Sequence, residues 1–298
     1  MQCSTAGTNK TVYYDNVVLQ PGEKDHSPWQ NNLAIKGTVP KSPVASGADL
    51  VAYGPFSSSN LLYVPDNTSS YSNYNDFSDI GTKDFSVTGW FYPTDSTPSA
   101  DNDFFALTDG GPTTAIFMQV RTNAKLRFYT RDSNDETYCD SHAILKSNHW
   151  YHFVAIRTQH GTHLYINGEY NTDSVSGFIP RDVGGADSLF IGGRFQTNQN
   201  FCTTTKVALI RLCMGTPSEH EIKRMYNDEK QLFVENAKCT LYGTSDDVKG
   251  IDYDEGTNLL HIGTSSGRSD FSGLTRINNT TTPVTTAIAA SNGLIVEE

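Results

Sequence analysis

Between residues 148 and 170 the chain reads NHWYHFVAIRTQHGTHLYINGEY, and its side chains divide with a period of two. From Trp150 to Arg157, the set Trp150, His152, Val154 and Ile156 falls on one face of a strand, with Tyr151, Phe153, Ala155 and Arg157 on the other. Both faces are mostly apolar. This predicts a strand buried on both sides, as in the stacked layers of an all-β domain. His160-Gly161 supplies a turn, His163 to Ile166 a second strand, and Asn167-Gly168 a two-residue hairpin signal. On this reading His152 is a half-buried histidine with its ring hydrogen-bonded, since no serine or cysteine nearby sits in a nucleophile elbow.

Further strands are expected at Asn60 to Val64, Phe85 to Tyr92, Asp103 to Leu107, Thr114 to Arg121, Lys125 to Thr130, Ser188 to Gly192 and Lys206 to Met214. Turn-forming stretches such as TDGGP, TNAK and GGAD separate them, which predicts an all-β, two-sheet sandwich or jelly roll. One helix stands out in TPSEHEIKRMYNDEKQLF. There Thr216 reads as the cap, Pro217 as the first helical residue and Glu219 as the capping-box partner, with Ile222, Met225, Tyr226 and Leu232 at helical spacing. After Phe233, Val248 to Tyr253, Leu259 to Gly263 and Gly273 to Ile277 outline a single four-stranded blade. A lone blade cannot bury its own faces, so an identical neighbour in an oligomer is the expected cover, with the sandwich of its own chain as the other candidate.

The division that follows is residues 1–24 as the terminal strand of a preceding module or a linker, with Val12, Tyr14, Val17 and Leu19 alternating. Residues 25–60 form a proline-punctuated extended leader packed on the sandwich, 61–233 the jelly roll, and 234–298 a small β-rich, oligomerising module.

Composition narrows the function. Net charge is -11 and no Lys/Arg block occurs, which argues against nucleic-acid binding. No apolar run reaches 18 residues, so no membrane insertion is expected, and the first residues lack the regions of a signal peptide. Five widely spaced cysteines without a C-x-x-C favour neither structural zinc nor a disulfide framework, and suit assembly in a reducing cytoplasm.

Asp84 to Phe91 (DFSVTGWF) with Pro93-Thr94, Trp150 to Val154, Leu164 to Gly168, Leu189 to Gly193, Val207 to Leu212, and Pro217-Ser218 with Glu221-Ile222 follow one another in a characteristic order between Leu61 and Phe233. In these residues the chain resembles the laminin-G-like, or concanavalin A-like lectin, jelly roll. The leader KDHSPWQNNLAIKGTVPKSPVASGADLVAYGPFSSSNLL is in turn similar to modules near the C-terminal end of bacteriophage tail-fibre-like proteins, as are the ending ENAKCTLYGTSDDVKGIDYDEGTNLLHIGTSSGRSDFSGLTRINNTT and the final SNGLIVEE. That resemblance implies a virion appendage, assembled in the host cytoplasm with other virion structural proteins as a homo-oligomer, a trimer being favoured, that meets a host cell-surface glycan.

The candidate chemistry is binding rather than catalysis. No E-x-D-x-x-E triplet aligns two carboxylates on one strand as retaining glucanases require, so no catalytic residue is assigned and a depolymerase is only an alternative. The other alternative is a purely structural appendage or capsid-decorating protein. No cofactor and no metal site are assigned, although Asp101-Asn102-Asp103 and Asp132-Ser133-Asn134-Asp135 offer oxygens of the kind calcium prefers. Saccharide binding needs an aromatic platform and planar polar groups on a rigid scaffold. The stretch RDSNDETYCD, read as a loop, offers Arg131, Asn134 and Tyr138. The stretch GRFQTNQNFC offers Arg194, Gln196, Asn198 and Asn200.

Overall fold

The computed structural model describes residues 33–64, 80–109, 114–133, 135–174, 178–186, 188–194 and 200–284. Among them the chain forms β1 (Ala34–Lys36), β2 (Lys41–Pro43), β3 (Val51–Tyr53), β4 (Leu61–Tyr63), β5 (Phe85–Pro93), β6 (Asn102–Thr108), β7 (Ala115–Val120), β8 (Leu126–Arg131), β9 (Glu136–Asp140), β10 (Tyr151–Arg157), β11 (Thr162–Ile166), β12 (Glu169–Ser174), β13 (Ser188–Ile191) and β14 (Thr205–Met214). Helix α1 (Glu219–Glu229) runs into a short 3-10 turn at Lys230–Phe233. Strands β15 (Val248–Asp254), β16 (Leu259–Thr264), β17 (Gly267–Ser272) and β18 (Thr275–Asn279) follow.

The first fourteen strands make two seven-stranded antiparallel sheets. The first runs in the order β1-β4-β13-β6-β7-β8-β9 and the second β12-β11-β10-β5-β14-β3-β2. They pack face to face as a jelly-roll-like sandwich around Phe85, Phe91, Phe104, Phe105, Ile116, Met118, Phe128 and Phe153, all 0 or 1% exposed. The rings interlock, with Phe91 stacked 5.3 Å from Phe104 and Phe85 edge-on to Phe128 at 6.1 Å. Arg157 also points into this layer. Its guanidinium lies over the Phe85 ring and donates to the carbonyls of Arg181, Gly81 and Lys83, tying two loops to the strand end, while burial pulls its pKa down to about 10.

β10 is buried on both sides, as its alternation predicts. Phe153 and Ala155 enter the inter-sheet core, whereas Val154 and Ile156 pack with Tyr165 under Ile222 of α1. The hairpin between β11 and β12 turns at Asn167 (φ 53°) and Gly168 (φ 79°), the left-handed pair a type I′ turn demands, and a Cβ at Gly168 would press on Tyr226 at 3.0 Å.

Several expectations shift. The leader does more than wrap the sandwich, because residues 33–60 contribute β1 to one sheet and β2 and β3 to the other. Two polar strands, β9 and β12, were not marked by hydrophobic alternation; they lie at sheet edges, where one side needs no apolar cover. The helix cap is Ser218, not Thr216, with Glu221 completing the capping box. The reason is that β14 runs to Met214 and Gly215 N–H is still bonded to Asp84 O, so Thr216 and Pro217 are spent leaving the sheet. His152 is fully buried, and neither ring nitrogen has a hydrogen-bond partner. It is wedged against Trp90 at 5.2 Å and Tyr226 at 6.0 Å, and burial, with Arg211 nearby, lowers its pKa to about 4.

β15 to β18 form a separate four-stranded sheet in sequence order. Asp49 ties its approach to the sandwich, accepting from Lys238, Cys239 N–H and Thr240, and Arg276 N–H donates to Lys238 O. The strand pairing places Ile251 and Tyr253 opposite Ile262 and Leu260, with Phe271 next in line, so one face is apolar. It is incompletely covered: Ile251 is 64% exposed and Tyr253 54%. The opposite face carries an ionic cluster in which Asp270 accepts from His261, Arg268 and Asn278.

The N-terminal strand expected within residues 1–24 lies outside the described residues, as does the chain beyond residue 284.

Candidate functional site

The outer faces of the two sheets have different fates. On the second sheet, Trp90, His152 and Ala208 project away from the core and are roofed by α1 and the turn after it, with Phe233 stacked on Trp90 at 4.1 Å. Glu229 closes the roof from beneath, accepting from Trp90 Nε1 at 2.6 Å and pairing with Arg211 at 2.8 Å.

On the outer face of the first sheet, among the described residues, no helix lies across the strands. Register alone brings an aromatic row together there. Tyr63 of β4 is opposite Phe190 of β13, which is opposite Ala106 of β6; then come Phe117 of β7, Tyr129 of β8 and Tyr138 of β9. Phe117 and Tyr129 stack at 5.4 Å, as do Tyr63 and Phe190 at 6.5 Å. The row opens toward β9, since Phe117 is 3% exposed and Tyr138 43%.

Planar charged groups flank the row on both sides. One neighbouring row is Asp103, Gln119, Arg127 and Asp140; the other ends in Arg131 and Glu136. Asp140 grips Arg127 through two bonds of 2.6 and 2.7 Å, holding its guanidinium 3.8 Å from the centre of the Tyr138 ring. Tyr129 donates to Glu136 at 2.7 Å, and burial together with that carboxylate pushes the phenol up to about 12. At the covered end Arg194 lies over the Phe117 ring at 4.8 Å and above the buried Asp103. Its Nε is 2.9 Å from Asp103 Oδ2, but the N–H is not directed at the oxygen, while Gln119 donates squarely to Oδ1 at 2.6 Å. Burial outweighs the Arg194 charge and holds the Asp103 carboxyl at about 7.

The structure therefore places three of the sequence candidates, Arg131, Tyr138 and Arg194, on one sheet face. Tyr138 stands on β9 rather than in a loop: Asp132 N–H is bonded to Asp135 O, and Arg131 pairs in register with Glu136. Asn200 is half-buried beside the bridge from Gly193 to Phe201. Asn134, Gln196 and Asn198 lie outside the described residues. Phe117, Arg127, Tyr129 and Asp140 were not singled out from sequence. Their signal was the shared parity of A-I-F-M-Q-V and L-R-F-Y-T-R, which becomes a site only once the strands are set side by side.

Several of the oxygens suggested for calcium are engaged within the protein. Asp101 pairs with Arg121 at 2.7 Å, Asn102 Oδ1 accepts from Thr204, and Asp135 pairs with Arg181 at 2.9 Å. Among the described residues no three His, Cys, Asp or Glu side chains converge as a metal would require.

A family model described as concanavalin A-like lectin/glucanases superfamily matches residues 66–222, just over half of the 298 residues. The chain belongs to the concanavalin A-like lectin/glucanases superfamily. No curated protein sequence matches it. Solved structures similar in fold include the binding domain of Paraclostridial Mosquitocidal Protein 1 (TM-score 0.54, 14% identity, 83% of this chain and 61% of that one). Others are the binding domain of Botulinum neurotoxin DC in complex with rat synaptotagmin II (0.51, 13%, 86% and 60%) and the Botulinum neurotoxin serotype D ligand binding domain in complex with N-acetylneuraminic acid (0.50, 11%, 86% and 59%). This superfamily member thus spans about three fifths of the length of those structures, and the likeness at such identities is one of fold. The fold is lectin-like.

Proposed function

We propose that the chain is a non-enzymatic adhesin of a virion appendage, bacteriophage tail-fibre-like in origin, whose jelly roll binds a host cell-surface glycan across the outer face of the first sheet. The observation that carries this reading is the open end of the row, Tyr129 and Tyr138, with Arg127, Arg131, Glu136 and Asp140 beside it. A pyranose presents apolar C–H faces that stack on aromatic rings and hydroxyls that bond planar charged groups, and both partners lie here on rigid strands. Binding rather than hydrolysis is favoured because Glu136 and Asp140 are committed to Tyr129 and Arg127, whereas a glycosidase needs two carboxyls facing a scissile bond. Oligomerisation as a trimer through residues 234–298 belongs to the same proposal.

A purely structural appendage is the second reading, favoured by one observation, the exposed Ile251 and Tyr253 on the C-terminal sheet, an apolar face suited to a neighbouring subunit. The test is binding of the purified oligomer to a glycan panel and to whole cells. Saturable binding lost in Tyr129→Ala or Tyr138→Ala at unchanged oligomer mass supports the adhesin. Absence of binding to every surface with the oligomer intact leaves the structural role. A chelator is expected to change nothing, because Asp101, Asn102 and Asp135 already have protein partners.

A further inference from the structure

The outer face of the second sheet is not roofed along its whole length. Beyond Trp90 toward the β2 end, Tyr92, Trp150 and Lys206 line an open cleft of about 290 Å³, closed on its far side by Pro43, Val44, Ala45 and Ser46. The space equals that of roughly ten water molecules, which suits one monosaccharide rather than a chain. Sheet register builds it. Lys206 of β14 is directly opposite Tyr92 of β5, and Trp150 immediately precedes β10, the other neighbour of β5.

The two rings stand 5.2 Å apart at 52°, in contact with each other, and together line the cleft. The Trp150 N–H is already donated to Val44 O at 2.9 Å and Phe233 packs against the same ring at 4.8 Å, so the indole is fixed and meets a ligand only with its surface toward the cleft. A proline-rich peptide would need a donor from this indole for its carbonyls, while a sugar's C–H face would not. Lys206 Nζ lies 5.9 Å from the centre of the Tyr92 ring and 3.1 Å from Ser42 Oγ. Its described partners include no carboxylate, so the ammonium keeps donors for an anion at the cleft mouth.

We propose that the Tyr92-Trp150-Lys206 cleft is a second binding site, separate from the aromatic face of the first sheet, and that it takes one carboxylate-bearing pyranose. The sugar's apolar face lies across the cleft-facing surfaces of Tyr92 and Trp150, and its carboxylate pairs with Lys206. Sialic acids and uronic acids share this chemistry.

The experiment follows the indole N–H resonances of the full-length protein, which has three tryptophans, with the Trp150 signal assigned through Trp150→Phe. Titrants are methyl N-acetylneuraminide, methyl glucuronide, its neutral isostere methyl glucoside, and a proline-rich peptide. The Trp150 signal is expected to move with one or both acidic sugars, and about tenfold more weakly with the glucoside, the loss of one charge-assisted hydrogen bond. Response to one acid alone identifies the source. Lys206→Gln should bring acid and neutral sugar within about twofold of each other, since only the charge-assisted term is removed. Tyr138→Ala should leave the titration unchanged, so a failure of the first-sheet site would be read separately in cell binding. Equal response to glucuronide and glucoside, a Lys206→Gln variant that keeps the preference, a Trp150 signal moved only by the peptide, or one moved by none of the titrants overturns the proposal.

Discussion

The two outer faces of the sandwich begin from similar material and end differently. Each sheet sets aromatic residues in a row across neighbouring strands: Trp90 and His152 on one, Phe117, Tyr129 and Tyr138 on the other. On the second sheet the chain returns as α1, and Ile222, Tyr226 and Phe233 turn that row into core. On the first, Arg194 covers Phe117, and the row emerges at Tyr138. A buried row contributes stability; an exposed one keeps its aromatic surface available for a partner. The same residue types are therefore structural or functional according to what the rest of the chain lays over them.

The sharpest break in the comparison is Trp90→Ala. It removes a ring packed between Phe233, Tyr226 and His152 and takes the donor from one oxygen of the buried Glu229 carboxylate, so a loss of about 3–5 kcal/mol is expected in denaturant unfolding. Next is acid. Folded His152 resists protonation down to about pH 4, whereas the unfolded chain takes up that proton near 6.5. Its contribution is present above pH 6.5 and is lost, by about 3 kcal/mol, as pH falls toward 4. In His152→Phe, unfolding measured across that range should lose this slope.

Asp103, beneath the open face, has the opposite sign. The folded state keeps its proton up to about pH 7, so this contribution is present below the unfolded carboxyl range and is lost as pH rises toward 7. Asp103→Asn should therefore flatten the stability profile between pH 4 and 7 in the direction opposite to His152→Phe. The smallest effect on stability is expected from Tyr138→Ala, within about 1 kcal/mol, because an exposed ring with one cation contact contributes little to folding. The same variant should abolish glycan binding, and a variant that loses stability but not binding would reverse the assignment of the two faces.

Between Trp150 and Gly168 nearly everything about local structure was legible in the sequence: the period of two, the doubly apolar strand and the Asn167-Gly168 turn all follow from covalent geometry and side-chain chemistry. The same holds for the long strands β5, β7, β8 and β14, whose apolar faces must be buried somewhere. Polar edge strands were less visible. Glu136 to Asp140 reads as a loop because its burial pattern has no continuous apolar face, and it becomes a strand through pairing with β8. His152 was legible as a buried position but not as an unbonded ring, because whether a nitrogen finds a partner depends on Trp90 and Tyr226, distant in sequence.

For the sites, the sequence determined which residues could stack on or bond a sugar, and Arg131, Tyr138 and Arg194 were among them. Only the tertiary structure decided that they share a face with Phe117 and Tyr129, and that Tyr92 and Lys206 on neighbouring strands converge with Trp150 just ahead of a third. Alternation is a local property of one strand, set by its own backbone. The alignment of side chains across strands is set by register, and their exposure by where the helix comes to rest; both are decided by residues far apart in the chain.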